Sequence, residues 1–277
     1  MPEPSIINPT VPATIDRPRQ RTTFTGLIGT VCMFPLRAII NACVAMRIHP
    51  NTLTLIGVLI VVAAAFALGL DHFRLAFLIM LLGSIFDFID GKVAYITNTM
   101  SRFGAFWDST LDRFADIALF LGLIYLYADL RRTDYVLVAA LALTFSIMTS
   151  YARARAESLI EKCKVGFMER PERIVLFWIG ALTDRMAAVM WVILILAIVA
   201  VANRIHYTYL VLNNKSIPSG SNVVTRIFWR GFFWRDERAT LPYDVLVIVI
   251  LAFIWLTPPD WLRDPTASGL GVWEFLR

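Results

Sequence analysis

Long apolar runs, broken by short polar and charged clusters, dominate this sequence. Residues 51–70 carry no charge, and further apolar runs extend from about Leu75 to Thr97, Phe103 to Tyr127 and Tyr135 to about Ser158. A short fifth run, Ile174–Thr183, stops at Thr183-Asp184-Arg185; a sixth covers Met186–Ala202 and a seventh Val245–Thr257. Most of these lengths suit a bilayer core, which takes roughly 17–25 helical residues. Backbone polar groups in lipid must be satisfied within their own segment, so the runs predict helices. Residues 23–46 are apolar too, but Pro35 and Arg37 fall within them, which predicts an amphipathic helix lying along the membrane surface. The pattern therefore predicts an all-α polytopic membrane protein. Its parts are a six-helix transmembrane bundle, an N-terminal amphipathic surface helix and an extra C-terminal apolar helix.

Residues 1–22 are polar, basic and Pro-rich and predict a flexible cytoplasmic tail, ahead of a membrane domain over 23–204. The remainder, 205–277, reads as a basic, aromatic-rich interfacial stretch followed by the extra apolar helix. Within it, Ser216-Ile-Pro-Ser-Gly220 predicts a turn. Arg226, Arg230 and Arg235 alternate with Phe228, Trp229, Phe232, Phe233 and Trp234, as in an interfacial helix with snorkelling arginines.

Composition agrees with the pattern: 58% of the 277 residues are hydrophobic, too many for an ordinary soluble domain. The net charge of +5 is unevenly placed. If the first span leaves the cytoplasm, one side receives Arg17, Arg19, Arg21, Arg102, Arg153, Arg155, Lys162, Lys164, Arg170, Arg173 and Arg204. The opposite loops hold Arg74, Arg131, Arg132 and Arg185. The positive-inside rule puts the N-terminus at the cytoplasmic face of the cell membrane. That bias accounts for the charge without a nucleic acid partner. Three scattered cysteines and three histidines lack metal-ligand spacing, which argues against zinc or a thiol nucleophile.

Four aspartates depart from the apolar pattern. Asp87 and Asp90 end the second span, and Asp108 and Asp112 begin the third. Residues three or four apart share a helix face, so each pair projects together, and a short turn around Asn98–Arg102 would make the two faces meet. Each carboxylate at mid-membrane costs about 2.5–3.5 kcal/mol on insertion scales. Arg113 and Lys92 are too few to neutralise all four. Hard divalent cations on oxygen ligands would resolve the conflict, and Mg²⁺ or Mn²⁺ suits sites that also hold phosphate oxygens. A buried charge network, or an ion path in a transporter, explains paired carboxylates equally well at this point.

The full spacing is D-x2-D-G-x2-A-x9-G-x3-D-x3-D, carried by Asp87, Asp90, Gly91, Ala94, Gly104, Asp108 and Asp112. It resembles the signature of the CDP-alcohol phosphatidyltransferase family, and His49-Pro50-Asn51-Thr52-Leu53-Thr54 resembles the Pro-Asn-x-x-Thr stretch before the family's first span. The family has Arg after the alanine, where this chain has Tyr95. The resemblance implies a surface helix and six spans over 23–204. It implies two metal ions held by Asp87, Asp90, Asp108 and Asp112. They would clamp the diphosphate of a CDP-linked lipid, with Asp112 as the base acting on an acceptor hydroxyl and CMP as the leaving group. It also implies nucleotide contacts at Pro50, Asn51, Thr54, Gly91, Ala94 and Gly104; the small residues serve close helix packing as an alternative. Homodimers are common in the family.

Three helix ends carry arginines: Arg153 after the fourth span, Arg170 and Arg173 before the fifth, Arg204 after the sixth. Singly, each serves as a positive-inside anchor. Together they resemble the branch of the family that uses inositol phosphate, where they would hold the acceptor phosphate through forked donors. A glycerol-3-phosphate acceptor is the second reading; an ion transporter or an inactive family member are further ones. A UbiA-like prenyltransferase would place its acidic motifs far apart, whereas these fall between positions 87 and 112.

Overall fold

The computed structural model describes residues 36–216, 218, 222–234 and 240–267. The expected tail, the residues up to 35 of the surface helix and most of the predicted turn at 216–220 lie outside the described residues. Residues 1–47 form one unit, of which Leu36–Ala45 is a short apolar helix, α1. Residues 48–277 form the second unit.

In the second unit every described element is helical. The order is α2 (Pro50–Gly69), α3 (Phe73–Ile96), α4 (Arg102–Asp129), α5 (Thr133–Glu157), α6 (Arg170–Thr183), α7 (Met186–Leu212), α8 (Val223–Phe232), α9 (Leu241–Leu256) and α10 (Pro259–Leu262). Local chemistry sets the ends. Pro50 opens α2, where its missing N–H costs nothing, and His49 Nδ1 accepts from Asn51 N. Ser101 Oγ accepts from Gly104 N at 2.9 Å and starts α4. Glu169 and Glu172 form a capping box at the start of α6. Asp71, Asn98, Arg131 and Asp184 take positive φ in the tight connections after α2, α3, α4 and α6. Such short connections make consecutive helices antiparallel neighbours.

Three boundaries differ from expectation by four residues or more, one of them the start of α9 at Leu241 rather than Val245. The fifth run begins four residues early, at Arg170, because the capping box supplies a start that hydropathy does not register. The sixth does not stop at Ala202. It continues through Asn203, Arg204 and His206 to Leu212, because Asn203 and Arg204 are buried against neighbouring segments rather than turned to water.

The helices α2, α5 and α7 are long and apolar enough to cross a membrane, and the chain is an integral membrane protein. Helices α3 and α4 have 24 and 28 residues, roughly 36 and 42 Å of helix. They are long enough but carry the aspartates. Packing between α2 and α4 is close, since a Cβ on Gly122 would lie 2.3 Å from the Ala65 carbonyl oxygen. Only glycine allows that backbone approach. The same pair of helices, with α3 packed on α2, fixes how the acidic ends of α3 and α4 face each other.

Candidate active site

The site forms where the C-terminal end of α3 meets the N-terminal end of α4. Asp87, Asp90 and Asp108 each offer one carboxylate oxygen, and the three oxygens lie within 4.8 Å of one another. At that separation each charged pair repels by about 3–4 kcal/mol at an effective dielectric of 20. An all-carboxylate oxygen set of this size fits a hard divalent cation.

Asp112 stands one turn further along α4, at the edge of the trio. Its Oδ1 lies 2.9 Å from Arg170 Nη1, and the same guanidinium nitrogen lies 3.0 Å from Asp87 Oδ2. The chain's own cation therefore meets charge that a divalent ion would meet. The sequence suggested Lys92 and Arg113 for this task. Lys92 instead lies over the Phe88 ring, one turn back on its own helix. Arg113 donates to Ser109 O and stays 3.7 Å from Asp112 Oδ2. The distant Arg170 reaches the acids because α6 packs on α3.

The residues expected to face a nucleotide gather around the same point. Thr54 Oγ1 lies 2.5 Å from Asp90 Oδ2 and 3.2 Å from Pro50 O. A hydroxyl has one proton, and the nearer, charged acceptor takes it. Asn51 O accepts from Trp107 Nε1 at 3.2 Å, tying the start of α2 to α4. A Cβ on Gly104 would come within 3.5 Å of Asn51 Oδ1, whereas one on Gly91 would meet nothing within 4 Å. Ala94 is half-buried and Tyr95 exposed. Replacing Thr54 by Val keeps the shape and removes the donor to Asp90. The concentration of Mn²⁺ giving half-maximal binding should rise about tenfold, as for other partners of metal-ligating groups. Calorimetric titration with Mn²⁺ measures this, and an unchanged curve would leave the hydroxyl without that role.

The four arginines separate into two kinds. Arg153 is half-exposed and pairs with Glu157 at 3.1 Å and Glu169 at 2.9 Å. Arg170 bridges Asp87 and Asp112. Arg173, expected to face the acceptor phosphate, is 2% exposed and held 2.6 Å from Asp116 Oδ2. Arg204 is also buried and donates to the carbonyls of Val165 and Thr149. Asp116 and Glu169 were absent from the residues singled out in the sequence. For Asp116 a signal existed: it continues the four-residue spacing of Asp108 and Asp112, and a carboxylate that deep in a span requires a partner.

The sequence profile described as CDP-alcohol phosphatidyltransferase matches residues 47–214. The chain belongs to that family. Among relatives of this transferase, an uncharacterised protein of Aquifex aeolicus is 37% identical over 65% of this chain and 92% of its own length. The archaetidylinositol phosphate synthase of Pyrococcus horikoshii is 34% identical over 62% and 89%. The phosphatidylinositol phosphate synthase of Mycobacteroides abscessus is 33% identical over 57% and 76%. The crystal structure of the Mycobacterium tuberculosis phosphatidylinositol phosphate synthase with CDP-DAG bound superimposes with a TM-score of 0.60. That match is 26% identical and covers 63% of this chain and 93% of that one. The same enzyme in complex with manganese and citrate also scores 0.60, covering 63% and 88%. The chain is thus a CDP-alcohol phosphatidyltransferase, and its Asp87–Asp90–Asp108 cluster is a group of carboxylates that could hold a divalent cation.

Proposed function

We propose that this transferase moves a phosphatidyl group, or its ether-lipid counterpart, from a CDP-linked lipid to a hydroxyl of inositol phosphate, releasing CMP. The observation that carries the reading is the meeting of two charge types at one site. The acids of α3 and α4 meet Arg170 directly, and Arg153 is tied to Glu169, the residue before Arg170. The acids suit the cations of a diphosphate donor, and the guanidinium pair suits a phosphate on the acceptor. Two relatives named for inositol phosphate lipids support that acceptor.

Asp87, Asp90, Asp108 and Asp112 would hold two Mg²⁺ or Mn²⁺ ions. Bound there, such ions supply charge stabilisation on the entering and leaving oxygens of the phosphoryl transfer. Asp112 accepts the proton of the acceptor hydroxyl as its oxygen attacks the lipid-side phosphorus. The phosphorus–oxygen bond to CMP breaks, and CMP departs with the bonding electrons. Gly91 and Gly104, with Ala94, leave the backbone of α3 and α4 open to the nucleotide, beside Pro50, Asn51 and Thr54 at the start of α2. Arg153 and Arg170 bind the acceptor phosphate, with Arg204 holding α7 against Thr149 and Val165 behind them. We assign Arg173 to the packing of α6 on α4 instead. On this reading α2 to α7 are the six spans and α1 lies on the surface. The basic helix ends then set the site at the cytoplasmic face.

The test is an acceptor panel. Purified protein with CDP-diacylglycerol and Mg²⁺ should release CMP when given inositol phosphate, and at least tenfold more slowly with glycerol 3-phosphate or free inositol. Preference for glycerol 3-phosphate would reassign the acceptor. Cation flux in liposomes without CMP release would overturn the enzyme reading altogether.

A further inference from the structure

The described residues beyond 214 lie outside the family match, yet some of them reach back to the acceptor side of the site. The segment between α5 and α6, residues 158–169, is without regular helix and carries Glu169 next to Arg170. Its far end is gripped from the extension. Gly166 N donates to Trp234 O at 2.9 Å. The Phe167 ring meets the edge of Trp234 at 5.6 Å and the ring of Tyr243 at 5.2 Å. The Tyr243 hydroxyl donates to Glu172 Oε1 at 3.3 Å, while Glu172 Oε2 accepts from Glu169 N at 3.2 Å. The Glu172 carboxylate is therefore fixed from both sides. Glu169 Oε1 holds Arg153 Nη1, and Arg170 follows it in the chain and reaches Asp87 and Asp112.

We infer that Tyr243, acting through Glu172, is a positioning residue for the acceptor site. It locks the first turn of α6 so that Arg170 stays on Asp87 and Asp112 and Glu169 keeps its hold on Arg153. The physical need is plain: a dozen residues without helix separate α5 from α6, and a connection of that length wanders unless tied down. A guanidinium fork displaced by an ångström loses much of its bidentate geometry. The extension thereby tunes acceptor affinity without touching substrate. The inference rests on the assignment of Arg153 and Arg170 to the acceptor phosphate.

The experiment uses the full-length protein in lipid nanodiscs with whichever acceptor phosphate the wild type turns over. Tyr243→Phe removes only the hydroxyl. It should raise the acceptor KM roughly three- to tenfold, the effect of losing one hydrogen bond. The KM for CDP-diacylglycerol and kcat should stay within twofold. Trp234→Ala, which strips the ring from Phe167, should act in the same direction. Tyr135→Phe is the control: it removes a hydroxyl that donates to Leu262 O at 2.5 Å and loosens the same extension at another point. It should leave the acceptor KM unchanged. An unmoved acceptor KM in both Tyr243→Phe and Trp234→Ala overturns the inference. So does a parallel rise in both KM values, or the same rise in Tyr135→Phe. Arg153→Gln, run alongside, separates the two failures. If it leaves the acceptor KM unmoved, the arginine assignment falls; if it raises KM while Tyr243→Phe does not, only the positioning role falls.

Discussion

Asp112→Asn is expected to lower kcat by about a thousandfold or more while leaving binding of the CDP-linked lipid largely intact. Loss of a positioned general base typically costs 10²–10⁴ in rate. Asparagine matches the shape of the carboxylate and keeps one oxygen, but it cannot take up the hydroxyl proton. The position supports a division of labour among the four acids. Asp87, Asp90 and Asp108 close on one another within 4.8 Å. Asp112 sits outside that trio, against Arg170, where an acceptor held by the same guanidinium would arrive. Single-turnover CMP release, set beside a thermal-shift titration with the CDP-linked lipid, separates chemistry from binding. Turnover within tenfold of the wild type would remove Asp112 as the base. Binding lost together with turnover would make it a structural ligand of the site instead.

The largest effect on stability should come from Arg173→Met. Its guanidinium and the Asp116 carboxylate are both almost wholly buried, 2.6 Å apart, linking α6 to α4. Thr149 supplies a further oxygen at 3.4 Å. Removing one member of a buried pair leaves the other charge uncompensated and typically costs about 3–5 kcal/mol. The pair itself need not contribute that much, because its own desolvation offsets most of the attraction. The double replacement Arg173→Met with Asp116→Leu should therefore recover most of the loss, a non-additivity that only contacting residues show. Thermal unfolding in detergent reads both variants. The double variant also decides the role of Arg173: an unchanged acceptor KM in a stable protein keeps it in the frame. A rise above tenfold would return it to the acceptor site.

Much of this architecture was legible along the chain. The apolar runs located α2 to α5 and α9 within a few residues, because lipid imposes one length and one backbone solution on any span. The residues of the signature could be read as a unit because Asp87 to Asp112 lie on two consecutive helices joined by a tight turn. Local spacing there settles which side chains share a face. Where hydropathy was the sole guide and charge was involved, the boundaries slipped. Arg170 and Glu172 look like the end of a loop but belong to α6, and Asn203 and Arg204 look like the end of a span but lie within α7.

Residue order alone thus determined the class of protein, the acidic motif and the chemistry that motif admits, since each depends on composition or on neighbours within one or two helical turns. Tertiary structure alone decided which cations meet which acids. Arg170 lies 83 residues from Asp87 and Arg173 lies 57 from Asp116, and their side chains converge only because α6 packs beside α3 and α4. It decided too that Thr54 reaches Asp90 and that Tyr243 braces Glu172. Distances of that kind follow from how helices pack, and no pattern of positions along a chain encodes them.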